Sequence, residues 1–132
     1  MEPAQTRPGV VLVVDDQKAS AELLRRWLEA DGHTVVTAGS GEAALAALAA
    51  HKPDLVLLDI MIPSPTGFEI CQRIKGDPAT HHIPVLLMSG LQDPANWKRG
   101  LEVGADHFLA KPFQSQELRA RVREYLGRAR GS

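Results

Sequence analysis

The chain has 132 residues, 44% of them hydrophobic, which is enough for one domain with a real core and too little for a second. A formal net charge of -1 argues against a dedicated nucleic-acid surface, which normally shows a basic excess. A single cysteine excludes an internal disulfide framework; with neither a signal peptide nor a long apolar span, a reducing, cytoplasmic setting away from the membrane is expected.

Residues 1–8 contain two prolines and no periodicity and are expected to be a disordered tail. The run Val10-Val11-Leu12-Val13-Val14 predicts a strand buried on both faces, ending on Asp15-Asp16. Ala21, Leu24, Trp27 and Leu28 recur at helical spacing between Lys18 and Ala30, and Gly32 is placed to end that helix. A short strand from His33 to Thr37 follows. Ser40 is a candidate cap for an alanine-rich helix from Gly41 to Ala50.

The third strand, Asp54-Leu55-Val56-Leu57-Leu58, ends on Asp59 and leaves through a loop with Pro63, Pro65 and Gly67. Phe68, Cys71 and Ile74, spaced by three, mark one face of a helix from Phe68 to Lys75. Ile83 to Met88 predicts a fourth strand delivering Ser89-Gly90. Pro94 opens a fourth helix with Trp97 and Leu101 four apart and Gly104 as its stop. Ala105 to Ala110 predicts a fifth strand before Lys111-Pro112. Leu118, Val122, Tyr125 and Leu126 stripe a last helix, from Ser115, that frays from Gly127. The folded domain is thus expected over 9–127, with 128–132 a linker or tail.

Strand and helix alternate five times with short connections, which predicts an α/β fold with a parallel sheet covered on both faces. All strand C-termini then share one edge, which receives Asp15, Asp16, Asp59, Ser89 and Lys111. Three carboxylates together repel by ~4 kcal/mol per ionised pair at 4 Å and an effective dielectric of about 20, so a cation belongs there. Oxygen-only ligands favour a hard ion, and a shallow, open cluster suits Mg²⁺. Asp59 becomes a candidate nucleophile, with Lys111 and Ser89 as partners for the oxygens of an incoming phosphoryl group.

These residues resemble the signature of the response-regulator receiver domain of two-component signalling, from Val10 to about Leu126. The resemblance rests on Asp15-Asp16, Asp59 with Pro63 and Gly67 at their offsets, Ser89-Gly90, and Lys111-Pro112-Phe113. It implies a flavodoxin-like (βα)5 three-layer sandwich with strand order 2-1-3-4-5 and a cis Lys111-Pro112 bond. It implies Mg²⁺ held by Asp16, Asp59 and the Met61 carbonyl with Asp15 in support, and phosphorylation of Asp59 by a histidine kinase or histidine phosphotransfer protein. It further implies a switch through Ser89 and Phe108 that alters a helix 4, strand 5, helix 5 surface facing an output domain or partner. Trp97, Lys98 and Arg119 are expected near that surface. Homodimerisation is left open. Such a domain is a signalling phosphoacceptor, not an enzyme acting on a separate metabolite. The starting Met1 and the Gly/Arg-rich end point to the N-terminal module of a longer chain.

Phe108 replaces a frequent tyrosine and Ile62 a frequent methionine, the latter conserving volume. Met61 and Leu91, both apolar, flank the expected path of the attacking water and predict slow self-dephosphorylation. Cys71 reads as core, His81-His82 as an exposed loop, and the arginines from Arg119 to Arg130 as a solvated helix face balanced by Glu117 and Glu124. One alternative is a pseudo-receiver, a protein-interaction module without phosphorylation, which the intact acids and lysine oppose. A nucleotide or flavin binder lacks its Gly-rich cradle after the first strand. An aspartate-dependent phosphatase lacks its second acid, since Met61 stands two residues beyond Asp59.

Overall fold

The computed structural model describes residues 9–90 and 94–129. Five strands alternate with five helices: β1 (Val10–Val14), α1 (Lys18–Ala30), β2 (Thr34–Ala38), α2 (Gly41–His51), β3 (Leu55–Asp59), α3 (Gly67–Gly76), β4 (Val85–Ser89), α4 (Pro94–Glu102), β5 (His107–Ala110) and α5 (Ser115–Ala129). All pairings are parallel, in the order β2-β1-β3-β4-β5, the flavodoxin-like sandwich expected.

Side-chain alternation along β1 divides the core between two layers. Val11 and Val13 pack with Leu24 and Leu28 of α1 and Leu118, Val122 and Leu126 of α5. Leu12 and Val14 face the other way, onto Ala44 and Leu48 of α2 and Ile70 and Ile74 of α3. The interior strands β3 and β4 are buried at every position, which is why they read as apolar runs. Each fully buried leucine contributes about 1.5–3 kcal/mol relative to exposure.

Helix ends follow local chemistry. Ser40 Oγ accepts from the Ala43 amide at 3.1 Å, capping α2. Thr66 and Glu69 form a reciprocal capping box at the start of α3. Gly32 and Gly104 adopt φ of +89°, a left-handed conformation that lets the chain leave α1 and α4 at little steric cost.

Some expected boundaries move. β2 runs from Thr34 to Ala38, one residue later than its composition predicted. β4 begins at Val85 because Pro84 has no amide to donate; its carbonyl instead accepts from Val56 N at 3.0 Å. α5 continues through Gly127, which is buried, since packing outweighs the weak helix preference of glycine. The Trp97–Leu101 stripe does not face the core: Trp97 is 43% and Leu101 77% exposed. α4 instead lays Gly100 against the sheet, where an added Cβ would lie 3.2 Å from Leu87 and 3.3 Å from Phe108. No described helix is long and apolar enough to cross a membrane.

Candidate functional site

The strand C-termini form one rim. Val14 pairs with Leu58, Asp59 with Met88 and Ser89 with Ala110, so Asp15, Asp59, Ser89 and Lys111 emerge at nearly one level. Three backbone bonds extend the ladders past the last strand residues: Asp15 N to Ala38 O at 3.0 Å, Ile60 N to Met88 O at 3.1 Å, and Lys111 N to Ser89 O at 2.7 Å. The sheet itself thus sets the height of these side chains.

Each inner carboxylate has one oxygen held by the chain and one held by lysine. Asp59 Oδ1 accepts from Met61 N at 2.8 Å, and Asp15 Oδ1 accepts from Gln17 N at 2.9 Å. Lys111 Nζ donates to Asp59 Oδ2 at 2.9 Å and to Asp15 Oδ2 at 3.4 Å. Asp15 and Asp59 are buried, whereas Asp16 is exposed. Burial disfavours the ammonium of Lys111, but the Asp59 hydrogen bond and the charges of Asp59 and Asp15 outweigh it and hold its pKa above the usual lysine value.

One oxygen from each of Asp15, Asp16 and Asp59 lies within 4.8 Å of the others. This all-oxygen set, open on the Asp16 side, fits a hard divalent cation that keeps some of its waters and is of the type that holds Mg²⁺ in receiver domains.

The loop after Asp59 is closely seated. A Cβ on Gly67 would lie 2.5 Å from the Asp59 carbonyl oxygen and 2.6 Å from Ile60 Cα, so only glycine lets α3 start this close to the strand end. Pro65 packs on the start of α2, where a Cβ on Gly41 would lie 2.5 Å from its carbonyl oxygen. Ile62 is buried and Met61 is 59% exposed beside the acids. The Lys111-Pro112 bond is cis, as expected, and so is Ser64-Pro65. Leu91 lies outside the described residues, as do residues 1–8, 92, 93 and 130–132.

Ser89 is fully buried at the end of β4, and Phe108 lies two residues before Ala110, its pairing partner. Phe108 is half-buried and stacks on Trp97 of α4, with centroids 4.7 Å apart and planes at 22°. Hydropathy along α4 does not mark this stack, although the three-residue spacing of Trp97 and Gly100 places them on the same helix face. Lys98 is exposed on α4. Arg119, expected near the α4–β5–α5 surface, turns to the opposite side of α5: its Nε donates to Asp31 Oδ2 at 2.9 Å and its Nη2 to Asp31 Oδ1. A carboxylate at the end of α1 offers it a bidentate partner there.

Comparison with known proteins agrees with this geometry. Residues 11–123 match the family model described as "Response regulator receiver domain". The chain is 46% identical over 113 residues to "Response regulator PleD" of Caulobacter vibrioides, covering 86% of this chain and 25% of the relative. It is 39% identical over 120 residues to "Phosphate regulon transcriptional regulatory protein PhoB" of Rhizobium meliloti, covering 91% and 53%. The chain therefore spans between about a quarter and about half of these relatives. Among solved structures, the signal receiver domain of a signal transduction histidine kinase from Syntrophus aciditrophicus superposes with a TM-score of 0.88 at 34% identity, covering 94% of each chain. The BeF3-activated DrrB receiver domain superposes with a TM-score of 0.80 at 34% identity, covering 91% of this chain and 98% of that one. Sheet order, the acids and lysine at its rim, and a match over most of the sequence agree: the chain belongs to the response-regulator receiver domain family of two-component systems.

Proposed function

We propose that Asp59 accepts a phosphoryl group from the phosphohistidine of a histidine kinase or histidine phosphotransfer protein. The observation that carries this reading is the single ammonium of Lys111 spanning Asp59 and Asp15 at the open rim. A carboxylate oxygen of Asp59 attacks phosphorus, an oxygen–phosphorus bond forms, and the donor's nitrogen–phosphorus bond breaks. The donor imidazole leaves with the bonding electrons and is neutralised by a proton. The Met61 amide holds the Asp59 carboxylate in one rotation, which limits the entropy lost on reaching the reacting geometry. Lys111 follows the charge from the carboxylate to a phosphoryl oxygen, and the Ser89 hydroxyl donates to another.

Asp16, Asp59 and the Met61 carbonyl would hold Mg²⁺, with Asp15 supporting, and the bound ion would supply positive charge against the phosphoryl oxygens. Withdrawal of Ser89 toward the phosphate leaves room for Phe108 to turn inward, out of its stack on Trp97. The α4–β5–α5 surface then changes shape for an output domain or partner protein. The setting proposed is cytoplasmic, with residues 9–127 as the receiver and the output carried by further chain or a separate protein. Exposed Met61 beside the acids shields the phosphoryl group from water and slows self-dephosphorylation.

The test incubates the chain with Mg²⁺ and acetyl phosphate and reads intact mass. One phosphoryl adduct is expected, abolished by Asp59→Asn and by prior chelation of the metal. No adduct on the folded chain, or an adduct that survives Asp59→Asn, overturns the reading.

A further inference from the structure

At the end of the sheet away from Asp59, a cavity of about 700 Å³ opens between the C-terminal halves of α2 and α3 and the segments that lead into β3 and β4. Its volume lies within the range of about 300–1,000 Å³ typical of small-molecule sites. Leu45, Leu48, Ile74 and Ile83 supply apolar walls, and the last three of these are buried. Lys52 and Arg73 stand on its rim, both exposed.

The charges on this rim are unequal in their availability. The two acids that line the cavity are engaged by main-chain amides: Asp54 Oδ2 accepts from Val10 N at 2.8 Å, and Asp77 Oδ1 accepts from Ala79 N at 2.9 Å. Lys52 and Arg73 form no ion pair or side-chain hydrogen bond among the described residues; Glu69, one turn before Arg73, interacts with it through charge alone. Nor are these cations needed to satisfy bare helix ends. The Leu48 carbonyl accepts from Lys52 N at 3.1 Å, and the Ile74 carbonyl accepts from Thr80 Oγ1 at 2.8 Å.

We infer that this cavity binds a small amphipathic organic anion, whose apolar body lies against Leu48, Ile74 and Ile83 while its carboxylate or phosphate head meets Lys52 and Arg73. A neutral amphiphile would gain the same apolar contact but no charge pairing with Lys52 or Arg73. This site is remote from the rim acids and does not depend on Asp59 accepting phosphate.

Decanoate is the probe, titrated into the isotopically labelled full chain and followed by amide and methyl NMR shifts. Shifts at Leu48, Ile74 and Ile83 are expected to saturate with a dissociation constant of about 1 mM, as befits a ligand of that size. Decanol should bind several-fold more weakly. Lys52→Gln with Arg73→Gln, both exposed and tolerable to the fold, should weaken decanoate about 5- to 10-fold, each exposed charge contributing modestly. Ala49→Trp, at another exposed lining position, should fill the mouth and abolish the shifts in a chain with an otherwise native spectrum. Equal binding of decanol and decanoate, shifts confined to other residues, or no shift up to about 10 mM would overturn the inference. So would recruitment to phosphatidylglycerol vesicles without a response to free decanoate, which would assign the cations to a membrane surface.

Discussion

Gly67→Ala is the substitution for which local propensity and tertiary packing predict opposite signs. Gly67 is the first residue of α3 and has an ordinary negative φ, so alanine should restrict the unfolded chain and favour helix, a gain of about 0.4–1 kcal/mol. The added Cβ would, however, lie 2.5 Å from the Asp59 carbonyl oxygen, 2.6 Å from Ile60 Cα and 3.0 Å from the Asp59 carbonyl carbon. All three are main-chain atoms and cannot rotate away. Either α3 or the end of β3 must shift, and overpacking of this kind costs about 1–3 kcal/mol. Packing should win, with a net loss of about 1–2 kcal/mol and a fall in the urea midpoint of about 1 M at unchanged slope. Gly76→Ala, at the other end of the same helix, meets nothing within 4 Å and serves as the matched control. Circular dichroism during urea unfolding measures both. Because the displaced atoms carry Asp59 and its Met61 bond, acetyl phosphate should also modify Gly67→Ala more slowly. If Gly67→Ala were as stable as Gly76→Ala, the close seating of α3 on the strand end would be refuted.

Other expectations follow from single contacts. Cys71 is fully buried, and loss of solvation pushes its thiol up to about 12, so a thiol reagent at pH 8 should modify it only in denaturant; rapid native modification would contradict its place in the core. Asp31 lies below its usual pKa, first through the Arg119 hydrogen bond and against partial burial. A depressed folded pKa adds stability above about pH 4 that disappears as pH falls through the folded value, so thermal scans from pH 7 to pH 3 should show less acid-dependent loss for Arg119→Gln than for the parent. Trp97 should report phosphorylation: in a Trp27→Phe background, acetyl phosphate with Mg²⁺ should change its fluorescence, and Asp59→Asn should abolish the change. A silent Trp97 in a chain shown by mass to be phosphorylated would separate the Phe108 stack from the switch.

The sheet and its rim were legible because unbroken apolar runs end on polar residues. Val10 to Val14 before Asp15 and Leu55 to Leu58 before Asp59 declare both a doubly covered strand and the place where it meets solvent. Parallel pairing then brings residues from distant parts of the chain to one edge without any contact having to be inferred. The position of α4 was less legible, because hydropathy marks a helix face by its large apolar residues. Gly100 contributes almost nothing to a hydropathy pattern but fixes which side approaches Leu87 and Phe108, leaving Leu101 in water. The role of Arg119 was hidden for a related reason. Its partner Asp31 is 88 positions away in sequence, and charge patterning along α5 alone favours a solvated face. Thr66 and Glu69, by contrast, carried a readable capping pattern that the prolines and glycine of the loop overshadowed.

The rim acids and their lysine differ in freedom. Backbone amides tether Asp15 and Asp59, while Lys111 reaches both on a four-carbon stem. When charge is added between them, the ammonium is the component able to travel, and its main chain is joined both to Ser89 and to the approach to α5. A local rearrangement of one positive group can therefore become tension in the connection between two secondary-structure elements, giving the molecule a mechanical route outward that begins at its least anchored atom.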